Sequence, residues 1–84
     1  MTRVHVRVTL RPSILDPEGQ AVGHALARLG LGAVAAVRAG KHFELDVETD
    51  DPAEAERVAR EAAARLLANP VTEDFEVTAV EPVA

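Results

Sequence analysis

The sequence predicts one α+β domain: a four-stranded antiparallel sheet with two helices on one face, in the order β-α-β-β-α-β. Three observations carry this. Strict alternation of apolar and polar residues marks strands. Two aspartate–proline steps open helical stripes. The charges on the outer faces of the strands complement one another. With 84 residues, the chain is expected to form a single domain, 1–84.

The first predicted strand is "RVHVRVTL" (3–10). Val4, Val6, Val8 and Leu10 lie on one side, and Arg3, His5, Arg7 and Thr9 on the other. "RPSILDPEGQ" turns the chain. Asp16 is placed to cap a helix, with Pro17 at its first position and Glu18 near its positive end. Ala21, Val22, Ala25, Leu26 and Leu29 form its apolar stripe, and Gly30 stops it. "AVAAVRA" (33–39) reads as a second strand and "HFELDVE" (42–48) as a third. Gly40-Lys41 between them is a hairpin signal. In the third strand Phe43, Leu45 and Val47 face in, and His42, Glu44, Asp46 and Glu48 face out.

The second helix starts at Asp51-Pro52, with Val58, Ala59, Ala62, Leu66 and Leu67 on its buried side. Asn69-Pro70 is expected to end it, with Asn69 in a left-handed cap. "DFEVTAV" (74–80) is a fourth strand, with Phe75, Val77 and Ala79 inward and Val80 outward. The tail "EPVA" reads as frayed. A ferredoxin-like strand order, 4-1-3-2, follows from this pattern. It sets the basic first strand between the acidic third and fourth, so Arg3, His5 and Arg7 face Glu44, Asp46, Glu48 and Glu76.

Composition restricts function. Acids outnumber bases 14 to 9, for a net charge of −5 at pH 7. That argues against non-specific nucleic-acid binding and against an anionic membrane surface. RNA recognition by base stacking needs exposed aromatics, and the two aromatics, Phe43 and Phe75, face inward. No apolar run approaches the roughly 20 residues of a membrane span. The chain has no cysteine, hence no disulfide, thiolate nucleophile or thiolate metal ligand. A cytoplasmic protein is the expectation. Eight of the nine bases are arginine and sixteen residues are alanine, a bias that a GC-rich genome or thermal adaptation would produce. So many alanines leave a thin core, which makes self-association the expected source of added stability.

Few residues suggest chemistry. Arg38, Lys41 and His42 cluster around Gly40, as an anion or partner contact or as a solvated turn. "AGKH" lacks the first glycine, the Ser/Thr after lysine and the following helix of a P-loop. His5 and His24 have no third ligand spaced to join them, so no metal site is expected. Ser13, the only serine, has no histidine near it in sequence. The helix start "LDPEGQAV" offers free N–H groups, but Asp16 and Glu18 already occupy its positive end.

Four stretches together resemble a known family: "VTLRPSILDPEGQAV" (8–22), "LG" (29–30), "VRAGKHFEL" (37–45) and "LLANPVTEDFEV" (66–77). The chain is similar to PurS, the small subunit of phosphoribosylformylglycinamidine (FGAM) synthase. The resemblance implies a non-catalytic assembly subunit with no cofactor of its own. It implies a homodimer or tetramer that joins a PurL-type synthetase, which uses ATP and Mg, to a PurQ-type glutaminase. Val34, Ala36, Arg38, Lys41 and His42 then become candidate protein contacts. The competing expectation is an ACT-like amino-acid-sensing domain, which shares the predicted element order.

Overall fold

A computed structural model describes residues 1–83. The sheet has three strands: β1 (Thr2–Leu10), β2 (Gly40–Val47) and β3 (Glu73–Pro82), in the order β2-β1-β3, all antiparallel. Helix α1 (Pro17–Arg28) follows β1, and α2 (Pro52–Ala62) follows β2. The expected four-stranded ferredoxin-like sheet is therefore not formed. Residues 33–39 pair with no strand, and the predicted hairpin at Gly40-Lys41 is absent with them. The reason lies in the side chains. "AVAAV" has β-like alternation but offers mainly methyl groups, which gain little from lying on a sheet. Arg38 and Ala39 instead tie the segment to the loop after β1.

The basic strand does lie between the two acidic ones. Arg3 pairs in register with Asp46, His5 with Glu44 and Arg7 with Glu76. Arg3 donates to both Asp46 oxygens, Nε at 2.9 Å and Nη2 at 3.3 Å, and Arg7 Nη2 donates to Glu76 Oε2 at 2.6 Å. Hydrogen bonding to Arg3 holds the Asp46 carboxyl below its ordinary range.

The inner face of β1 supplies the core. Val4, Val6 and Val8 are fully buried against Ala55, Ala59 and Ala63 of the helical layer. Small residues let α2 approach the sheet closely. A single π-helical turn, Ala63–Leu67, follows α2, and Ala68 N–H donates to Ala63 O at 2.9 Å. The wider turn alters the facing of the last residues. Ala68 is buried, and Leu66, expected inside, is 82% exposed. Asn69 does not adopt the expected left-handed cap; its Oδ1 accepts from Val71 N–H at 2.9 Å and closes a local turn.

In β3 the register shifts opposite His5/Val6: Val77 pairs with Val6, Ala79 with His5 and Val80 with Val4. Thr78 is the extra residue, which exchanges the faces beyond it. Val80 thus packs on the core and Ala79 is exposed, the reverse of the sequence expectation. The tail is not frayed through Val83, whose N–H donates to Met1 O at 3.1 Å; Ala84 lies outside the described residues.

Helix α1 is capped as the sequence predicts, by Asp16 at its start and a left-handed Gly30 (φ 82°) beyond its end. It makes little contact with the sheet, however, which is covered by α2 and the turn that follows it. Of its residues only Gly19 is buried.

Candidate functional site

The feature that sets this molecule apart is an arm, residues 11–39, built from α1 and the extended segment after it. Asp16 fixes its base. Asp16 Oδ1 accepts from Gly19 N–H at 2.9 Å, and Oδ2 accepts from Ala39 N–H at 2.7 Å. One buried carboxylate thus caps the helix and holds the returning strand. The two N–H groups, with Arg38 nearby, hold its pKa below the ordinary carboxylate range. Gly19 is required by close approach: a Cβ there would lie 2.5 Å from both Asp16 Oδ2 and Val37 O.

Arg38 is the second fastening. Its guanidinium donates to Leu10 O at 3.3 Å, Arg11 O at 3.0 Å and Ile14 O at 3.2 Å. Those carbonyls lie at the end of β1 and in the loop that leads to α1. Lys41 Nζ lies 3.7 Å from Glu73 Oε2, and His42 Nε2 lies 3.1 Å from His5 Nδ1. The three basic side chains around Gly40 therefore point to three different intramolecular partners and make no common anion site. Gly40 itself opens β2. A Cβ there would meet Val8 O at 2.7 Å, so the glycine permits close strand approach and turns nothing.

The rest of the arm is apolar and unpartnered in the single chain. Leu29 is 74% exposed, and Leu15, Leu31 and Val34 are each about half exposed or more. Ala36 is also exposed. A groove of about 460 Å³ runs between α1 and the segment, lined by Gly23, Ala27, Val34 and Ala36 among others. A second groove, of about 510 Å³, lies by Arg7, Leu10, Pro12, Arg38 and Phe75. Its two arginines are already engaged, Arg7 by Glu76 and Arg38 by the loop carbonyls.

Of the remaining sequence candidates, His24 is exposed on α1 and Ser13 lies in the exposed turn. At the α1 start Asp16 accepts from Gly19 N–H through its side chain and from Gln20 N–H through its carbonyl. The sequence offers no third ligand to join His5 and His24; the sheet brings His5 to His42 and Glu44 instead. One donor atom from each of these three lies within 4.8 Å of the others. The alternation of β1 and β2 put all three on outer faces; only their register was missing from the sequence.

Among the described residues, no helix is long and apolar enough to cross a membrane. The ACT-like alternative is not favoured, because the four-stranded sheet on which it rested is absent.

Comparison with known proteins is consistent throughout. A PurS subunit of FGAM synthase from Mycobacterium leprae is 47% identical over 79 residues, which cover 93% of this chain and 95% of the relative. The structure of Thermus thermophilus PurS superposes with a TM-score of 0.90 at 36% identity, covering 99% of this chain and 98% of the other. A chain in the structure of PurLQS from Thermotoga maritima matches with a TM-score of 0.83 at 30% identity, covering 90% of this chain and 93% of the other. The family model described as PurS, phosphoribosylformylglycinamidine (FGAM) synthase, matches residues 3–81. The chain belongs to the PurS family, a subunit of FGAM synthase in purine biosynthesis.

Proposed function

We propose that this chain is the non-catalytic assembly subunit of its FGAM synthase, acting in the cytoplasm. It holds a PurL-type synthetase, which uses ATP and Mg, beside a PurQ-type glutaminase. The two enzymes together aminate the substrate amide with ammonia from glutamine. The gain is positional: ammonia released beside its acceptor is delivered at high effective concentration and is not diluted into water. A match to a chain of a PurLQS structure supports this reading.

The observation that carries it is the exposed arm. The accessible surface is 5802 Å², against about 4,800 Å² for a compact monomer of this mass. The excess, about 1,000 Å², is close to one side of a standard protein interface. The arm supplies apolar residues to fill it. We assign Val34, Ala36 and the neighbouring Leu29 and Leu31 to self-association into a dimer or tetramer. Arg38, Lys41 and His42 lie at the boundary of that surface and remain contact candidates for the larger subunits.

Sedimentation of the chain alone and mixed with the two larger subunits tests this. The expected result is an oligomer alone and a three-component species in the mixture. Sedimentation as a monomer that joins neither subunit would refute it.

A further inference from the structure

The outer face of the sheet carries a group of side chains to which, His42 apart, the assembly role gives no part. His5 (β1), His42 and Glu44 (both β2) converge there, and Glu81 (β3) stands behind His5. His5 Nδ1 lies 3.1 Å from His42 Nε2 and 3.9 Å from Glu44 Oε1, and His42 Nε2 lies 4.0 Å from the same oxygen. Tetrahedral zinc with bonds near 2.0 Å separates its ligand atoms by about 3.3 Å. The three observed separations bracket that value, so small rotamer changes suffice.

The proton arrangement also fits. His5 Nε2 lies 2.8 Å from Glu81 Oε1. The carboxylate can only accept, so in the neutral ring Nε2 carries the hydrogen and Nδ1 presents a lone pair toward His42 and Glu44. A carboxylate behind the ligating imidazole is the usual outer partner of a metal-bound histidine. The charges match as well. Arg3 is held by Asp46 and Arg7 by Glu76. Among the described residues, the ion-pair partners of Glu44 and Glu81 are only these histidines. With neutral imidazoles, the cluster leaves two carboxylate charges for a divalent cation.

We propose that His5 Nδ1, His42 Nε2 and Glu44 Oε1 bind one Zn²⁺ per chain, with water completing the coordination and Glu81 positioning His5. Two imidazoles and a carboxylate suit zinc. Bound there, the ion links β2 to β1, and through Glu81 to β3. This domain has a thin core and no cysteine, so such a link would serve it as a structural staple.

The test titrates zinc chloride into the full-length chain, by calorimetry and by NMR of the histidine rings. Saturation at one Zn²⁺ per chain is expected, with His5 and His42 resonances moving together and those of His24 unmoved. Zinc should raise the melting temperature, because it binds the folded state. His42→Ala, at an exposed position, should fold and weaken binding at least about tenfold, and Glu81→Gln should weaken it about tenfold. Absence of saturable binding, or equal affinity in a folded His42→Ala chain, would overturn the proposal and leave the cluster as a histidine pair held by hydrogen bonds.

Discussion

Asp16 accepts from two backbone N–H groups 20 residues apart in the chain, those of Gly19 and Ala39. Its folded pKa is lowered, with hydrogen bonding from Gly19 the leading cause. The sign follows from linkage. A depressed carboxyl contributes stability that is complete above its unfolded value, about 3.9, and lost as pH falls through the lower folded value. Acidification below about pH 4 should therefore release the 37–39 segment from the helix start. Hydrogen exchange at Ala39 and Gly19 would show this as lost protection, and Asp16→Asn should weaken protection at Ala39 at neutral pH. The cap was legible in the sequence, because Asp-Pro-Glu states it locally. The second bond was not, because Ala39 reaches Asp16 only through the tertiary fold. Arg38 teaches the same lesson. As a charge near a glycine it reads as an anion or partner contact or as a solvated turn, and the fold adds donation to the carbonyls of Leu10, Arg11 and Ile14, which local sequence does not announce.

At the scale of elements, β1 carries most of the core through three valines with 0% exposure. Val6→Ala removes two buried methyl groups and should cost about 2 kcal/mol, read as a lower denaturant midpoint. Ala59→Leu, opposite the same face, should also destabilise, by about 1–3 kcal/mol, because α2 has no room for a larger side chain. Leu66→Lys should leave the stability of the isolated chain unchanged within about 0.5 kcal/mol, since that side chain is 82% exposed. These contrasts separate what was readable from what was not. Strict alternation in β1 and β2 fixes their faces locally. The bulge at Thr78 has no glycine or proline to announce it, and it alone reverses Ala79 and Val80. The π-helical turn after α2 likewise has no local signal in the sequence, and Leu66 within it is exposed. Residues 33–39 look like a strand by propensity, but a strand requires a neighbour, and the sheet gives them none.

The whole molecule is long and thin, 47 × 31 × 13 Å, with a radius of gyration of 16.0 Å. A compact chain of this length would have about 12 Å. The extended arm and its exposed leucines account for the difference. A protein that folds by covering that arm with other copies should have a melting temperature that rises with protein concentration. Leu29→Asp with Val34→Asp should abolish that dependence and leave a smaller species in sedimentation. These aspartates would place charge in an apolar contact, which is costly unless paired. The excess of alanine and the thin core point in the sequence to the same expectation of self-association. The shape itself was not legible there, because α1 has an apolar stripe whether or not the sheet receives it.

Glutamine-driven turnover of the reassembled complex tests the central claim most directly. The two larger subunits should be assayed with and without this chain, once with glutamine and once with ammonia as the nitrogen source. The positional account predicts that the chain is needed for amidation from glutamine, while amidation from added ammonia persists in its absence. Equal rates from glutamine with and without the chain would contradict it.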